Sequence, residues 1–189
     1  GMNEMILRES ESEEIRQYAK SIERSGGYLI SLINNILDIS RIESGKMEIE
    51  EGKYELRRLL DEVMLIAEKQ AEQKSLKMNL TFDKTLPAYL IGDVIHIKQI
   101  LLNLINNAVK YTQEGQVDIK VSKNAEETKL IFEVKDTGIG IKEENLPILF
   151  DAFMRVDSKK NKKIKGTGLG LAIAKQLVEQ MDGKIWVES

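Results

Sequence analysis

Two amides and a lysine fall in line within the stretch Gln99 to Thr112, QILLNLINNAVKYT. Coiled at 3.6 residues per turn, the stretch places Leu101, Leu104, Ile105 and Ala108 on one side and Asn103, Asn107 and Lys110 on the other. An amide oxygen can bind a hard cation without repelling a phosphate, which is how a magnesium triphosphate would be held. A solvated polar face rich in Asn fits the same pattern. A second group, Asp136-Thr137-Gly138-Ile139-Gly140, follows a strand-like run. A carboxylate at a strand end, with two glycines after it, sets an acceptor in a cleft and lets backbone approach a flat ligand. Adenine offers such an acceptor an exocyclic amine, whereas guanine presents an oxygen there; a plain Asx turn would use the same residues. A third group, Gly166-Thr167-Gly168-Leu169-Gly170-Leu171, opens an amphipathic helix from Leu169 to Met181, whose free N–H groups suit an anion. It is not the dinucleotide fingerprint, because no strand precedes it and its third glycine comes one residue early; nor is it a P-loop, because GK[ST] is missing. The lysines between Lys159 and Lys165 could complement phosphates or simply be solvated.

Composition bounds what can position these residues. With 189 residues, 42% hydrophobic and 31% charged, the chain can bury a core, and one globular domain with an appendage is expected. A net charge of -3 offers no general attraction to nucleic acid or anionic membranes, so no nucleic-acid partner is expected. No apolar run approaches the roughly 20 residues of a bilayer span, and a soluble chain is expected. Without cysteine and with a single histidine, any metal must be held by oxygen. Gly1 before Met2 reads as the remnant of a cleaved tag.

From Ile15 onward, small or apolar residues repeat in steps of four and three through Ala19, Ile22, Leu29, Ile33 and Ile36, the seam of a packing helix. Tyr18, Leu32 and Ile39 add a second stripe, which suits a four-helix bundle formed by two chains. Gly26 and Gly27 could mark a turn, but the heptad phase carries through them and favours one helix. Ser44-Gly45-Lys46 ends it, dividing the chain into an appendage over 2–45 and a domain over 46–189. In the domain, Met47 and Ile49 predict a short strand, and Leu56 to Gln73 a helix with Leu59, Leu60, Val63, Ile66 and Ala67 inward. Met78, Leu80 and Phe82 predict another strand. Asp93 is a fair N-cap for the Asn-bearing helix. Val117, Ile119 and Val121 pair with Leu130, Phe132 and Val134 as a hairpin. The expected fold class is α+β, a two-layer α/β sandwich with a mixed sheet covered by three helices and preceded by a long N-terminal helix. Residues 141–165 hold no convincing element beyond a turn within Leu146 to Phe153 and read as a lid.

Four motifs in this order, N-L-I-N-N-A-V-K-Y-T, D-T-G-I-G-I, L-F-D-A-F and G-T-G-L-G-L, resemble the N, G1, F and G2 boxes of bacterial two-component sensor histidine kinases. The likeness extends to Ile15–Lys46, which resembles the second helix of the family's dimerisation and phosphoacceptor domain. The resemblance implies a Bergerat-type ATP-binding fold of the GHKL superfamily that transfers the γ-phosphate of ATP to a histidine on a bundle helix, for relay to an aspartate of a response regulator receiver domain. By similarity Asn107 would coordinate Mg2+ with Asn103 beside it, Lys110 would reach phosphate and Tyr111 would lie against the nucleotide. Asp136 would accept from adenine N6. Gly138, Gly140, Gly166, Gly168 and Gly170, with Thr167 and Leu169 among them, would shape the pocket and the ends of the lid. Phe150 and Phe153 would anchor the lid, and Arg155 would approach the γ-phosphate. The resemblance further implies a homodimer through the N-terminal helix and a cytoplasmic catalytic region, whether or not its parent is membrane-anchored.

Two departures bear on activity. The family's phosphoacceptor box, a His followed by an acidic residue and soon by a proline, is absent, and Met2 to Leu7 resembles only the tail of the helix that carries it. After Trp186-Val187-Glu188-Ser189, where the family usually runs on through another strand, an open sheet edge is expected. The lone His96 shows no acidic neighbour within Val94–Lys98 to orient its ring, so this chain is expected not to phosphorylate itself. Relatives in the superfamily that hydrolyse ATP to drive dimer closure, and a non-catalytic ATP-dependent switch, are the alternatives. The former carry a glutamate on the first pocket helix, where this chain offers Asn103; Asp93 and Glu114 lie too far along to activate water.

Overall fold

The computed structural model describes residues 1–126, 128–154 and 167–189. It divides into two compact units, Gly1–Met47 and Glu48–Ser189.

The first unit is helical. Helix α1 (Met2–Glu9) packs on α2 (Glu13–Glu43), and the Asn3 amide donates to the carbonyl of Ala19, which is buried under the contact. Helix α2 runs unbroken through Gly26 and Gly27, as the heptad phase predicts. Its seam is otherwise uncovered within this unit, with Ile22, Leu29, Ile33 and Ile36 all exposed.

In the second unit, strand β1 (Gly52–Glu55) leads into α3 (Leu56–Glu72), and β2 (Lys77–Phe82) and β3 (Tyr89–Gly92) follow. Then come α4 (Val94–Tyr111), β4 (Gln116–Lys123), β5 (Leu130–Asp136), a 3-10 turn (Glu143–Ile148) and α5 (Gly170–Gln180). Strands β2, β4 and β5 form a mixed sheet in that order, β2 parallel and β5 antiparallel to β4; β1 and β3 pair separately. Parallel neighbours require a long crossover, and α4 lies within the one joining β2 to β4, which lays it on the sheet. Val117, Ile119 and Val121 are buried beneath the helices, and Lys120 faces water on the opposite side. This alternation makes the two layers. The register sets Ile119 opposite Val134 and Val121 opposite Phe132, so the expected hairpin forms.

Three local expectations fail. The strand anticipated at Met47 and Ile49 is irregular; the Glu50 N–H donates to the Asp93 carboxylate at 2.9 Å, and pairing begins only at Gly52. Its partner β3 was not anticipated, because the four residues Tyr89–Gly92 carry too little periodicity to read. Ile66, expected inward on α3, is 38% exposed, while Met64 and Ala71 are buried beside Leu60 and Ala67.

Helix α3 closes in a Schellman turn. The Leu76 N–H reaches back to the Ala71 carbonyl and the Ser75 N–H to that of Glu72, with Ser75 at φ 56. The turn fixes the backbone of Lys74.

Candidate functional site

Helix α4 is the shared wall of the site. Asp93 caps its start, taking the N–H groups of Ile95 at 3.1 Å and His96 at 3.0 Å on Oδ1, and that of Glu50 and the His96 Nδ1 (2.6 Å) on Oδ2. Asp93 is 3% exposed. Burial, the largest single influence, opposes its ionisation, but these hydrogen bonds and the imidazole outweigh it and hold its pKa below the usual carboxylate value. The expectation that His96 lacks an acidic neighbour is thereby corrected. Asp93 lies three residues back, which a helix turn brings onto the same face.

At the other end α4 meets the glycine turn after β5. Gly138 lies so close beneath it that an added Cβ would stand 2.6 Å from the Tyr111 carbonyl oxygen, 2.7 Å from Asp136 Oδ1 and 3.0 Å from Thr112 Oγ1. No side chain fits there. Asp136 Oδ1 accepts the Gly138 N–H at 2.8 Å, so the Asx turn does form; a carboxylate has two acceptor oxygens, and this one is exposed at the strand end. Lys110 Nζ lies 4.7 Å above the Tyr111 ring. Gly140 has φ 66, and the Ile141 N–H beyond it donates to Ser189 Oγ at 2.7 Å.

One face of α4 also meets the third motif. Helix α5 buries Leu169, Ile173 and Leu177 and packs on α4, bringing Gly170 against Asn103, whose Oδ1 would lie 3.4 Å from a Cβ there. The Nδ2 of Asn103 is buried with no hydrogen-bond partner among the described residues. An unpaired buried amide is costly, and among the described residues Asn106 Oδ1 and Gln176 Oε1 are left in the same state. Among the described residues no side chain caps the start of α5, which leaves its first N–H groups open to an anion. Thr167 Oγ1 accepts from the Leu169 N–H at 3.1 Å. Gly168, at φ 74, runs against Phe153: the Phe153 N–H donates to its carbonyl at 3.0 Å, and an added Cβ would be 2.9 Å from the Phe153 carbonyl carbon. Phe153 itself takes φ 64, a strained backbone of the kind found at ligand clamps, and is 66% exposed, whereas Phe150 is half-buried. Arg155, Gly166 and the lysines at 159–165 lie outside the described residues, as does most of the lid's second half.

The structure thus brings the Asp136–Gly138 turn and Gly170 up against α4, which carries Asn103 and Tyr111, with Asn107 half-buried one turn, about 6 Å, beyond Asn103. Among the described residues, no three His, Cys, Asp or Glu side chains gather to hold a metal. Neutral amides with phosphate oxygens suit Mg2+, which keeps few protein ligands. Lys74, Thr112 and Thr137 make contacts for which the sequence suggests no role. Lys74 Nζ donates to the carbonyls of Val109 (2.8 Å), Lys110 (2.8 Å) and Thr112 (3.0 Å), and burial lowers its pKa. Thr137 Oγ1 takes the Gln116 N–H at 3.0 Å, and a Cβ on Gly115 would stand 2.2 Å from it. Nothing in a lone lysine past a helix end signals such contacts, whereas Thr112 and Thr137 are letters of the first and second motifs.

Residues 92–189, which hold α4, both glycine turns and α5, match the profile of the histidine kinase-, DNA gyrase B-, and HSP90-like ATPase family. The chain belongs to this family. Residues 1–45 match a second profile, the His Kinase A (phospho-acceptor) domain, and the pairing marks a sensor histidine kinase. Hybrid signal transduction histidine kinase B of Dictyostelium discoideum is 41% identical over 177 residues, 92% of this chain and 9% of that protein. The solved full-length ShkA in complex with AMPPNP superposes with TM-score 0.78 at 29% identity, over 96% of this chain and 37% of that one. ThkA, solved in complex with the response regulator protein TrrA, superposes with TM-score 0.68 at 25% identity, over 100% of this chain and 51% of that one. The chain spans between 9% and 26% of the length of the curated relatives it matches.

Proposed function

We propose that this histidine kinase chain binds ATP with Mg2+ at α4 and transfers the γ-phosphate to a histidine on a bundle helix, for relay to an aspartate of a response regulator in the cytoplasm. The observation that carries the proposal is the position of α4, one helix against which both glycine motifs close. Asp136 accepts the adenine amine, Tyr111 lies along the base, and Lys110 reaches a phosphate. Asn107 and Asn103 hold Mg2+, which supplies charge neutralisation across the phosphates. The open N–H groups of α5 take phosphate oxygens. Gly138, Gly140, Gly168 and Gly170, with Thr167 and Leu169, keep backbone close to the ligand, and Phe150 and Phe153 anchor the lid to which Arg155 and Gly166 belong. No Asp or Glu occurs anywhere on α4 to activate water, which favours phosphotransfer over hydrolysis.

Positioning a nucleophile in line with the γ-phosphate decides this reaction, and the only histidine is a poor candidate. Asp93 does orient the His96 ring through Nδ1, but that side chain is only 16% exposed and starts about 10 Å along α4 from Asn103. Incubated with γ-labelled ATP, this chain should acquire no acid-labile phosphate, whereas a separately supplied helical bundle bearing an acceptor histidine should be labelled in its presence. Label on the chain itself that vanishes in His96→Gln would overturn the assignment.

The uncovered seam of α2 supports a homodimer. Ile33 is 50% exposed in a row with Ile22, Leu29 and Ile36. A charge there would have to be buried unpaired in any such interface, so Ile33→Asp should sediment as a monomer at concentrations where the parent associates. An unaltered dimer would place the interface elsewhere.

A further inference from the structure

A helix leaves its last four carbonyls without intrahelical donors, and at the end of α4 each is accounted for. Ala108 receives the Thr112 N–H at 3.1 Å and its hydroxyl at 2.7 Å, and Tyr111 receives the Ile139 N–H at 3.4 Å. Val109, Lys110 and the following Thr112 all turn to the ammonium of Lys74. Three donors meet three acceptors, and the cation lies at the negative end of the helix dipole. The Schellman turn of α3 holds Lys74 in place, so the clamp joins two elements instead of capping one.

The carbonyls it gathers flank Tyr111, whose own oxygen bonds the glycine turn carrying Asp136. We propose that Lys74 is a positioning residue for base selection: by gathering three carbonyls at the end of α4 it fixes the distance between that helix and the Asp136–Gly138 turn, and so sets the preference for adenine. The inference rests on the nucleotide reading above. It confines the role of Lys74 to the base end of the site, because Asn103 lies eight residues, about 12 Å, back along α4.

The chain has no cysteine, so Lys74→Cys can be alkylated at that position alone with bromoethylamine to rebuild an ammonium of nearly the same reach. In the nucleotide-free protein, hydrogen exchange at the Ile139 amide should quicken at least tenfold in Lys74→Cys and return towards the parent rate after alkylation. By calorimetry the ratio of ATP to GTP affinity should fall at least tenfold and recover likewise, with the Mg2+ dependence of ATP binding unchanged. Lys74→Gln, with two donors, should fall between. Loss of affinity in equal proportion for both nucleotides would show general loosening and overturn the inference, as would an unchanged ratio or failure of alkylation to restore it. A parent protein that fails to prefer ATP sinks the nucleotide reading itself; a parent that prefers ATP beside a variant that does so equally sinks only the role of Lys74.

Discussion

Asp136→Ala is expected to lower ATP affinity by about tenfold to a hundredfold, the roughly 1.5–3 kcal/mol that a hydrogen bond to a charged group contributes. The substitution removes the acceptor for the adenine amine and also the Oδ1 bond that folds the Gly138 N–H into the Asx turn at 2.8 Å. The two losses can be separated. Asp136→Asn keeps an oxygen for the Gly138 N–H but substitutes a neutral amide for the charge, so the turn should persist while part of the affinity is lost. GTP meets an oxygen where ATP offers an amine, so Asp136→Ala should leave weak GTP binding nearly unchanged and collapse the difference between the two. Calorimetry on both nucleotides reads this directly, and equal affinities in the parent protein would remove the carboxylate from base recognition.

Asp93→Ala is expected to destabilise the second unit by about 3 kcal/mol, lowering its melting temperature by roughly 6–12 °C. Loss of an N-cap accounts for about 1–2 kcal/mol, and the Glu50 N–H and His96 imidazole that the same carboxylate binds lose their partner as well. The pH dependence follows from the depressed pKa of Asp93. A carboxylate whose folded pKa lies below its unfolded value contributes its full stability above that unfolded value, about 3.9, and loses it as pH falls through the folded pKa. Parent and Asp93→Ala should therefore differ most near neutrality and converge only as the pH falls below the unfolded value and on through the lower folded pKa. Thermal unfolding curves between pH 2.5 and 7 check it; a difference that grew on acidification would contradict the assignment.

How much of this was legible beforehand depends on the range of the interaction. The unbroken α2, the Asp93 cap, the hairpin of β4 and β5 and the start of α5 are all written in residues a few positions apart, where periodicity, capping and turn chemistry act. The four motifs likewise announced the family, because each is a local run whose glycines and amides must stand at fixed spacing. The short β3 failed to show, since a four-residue edge strand is stabilised by its partner β1 and not by its own pattern. Ile66 misled because inward positions on α3 are chosen by what lies opposite, and Met64 and Ala71 met the core instead.

The sequence by itself determined the family, the class of fold and the motif residues, because those rest on local spacing. Only the tertiary structure decided how they act together: that Gly170 lies against Asn103, that Gly138 is pressed under Tyr111, that the Asp93 cap also binds Glu50 from 43 residues away, and that Lys74 closes α4 from 35 or more residues away. Each is a contact between segments distant in sequence. Such contacts depend on the sheet order and the crossover that lays α4 on it, and an ammonium or a glycine carries no local mark of the partner it will meet.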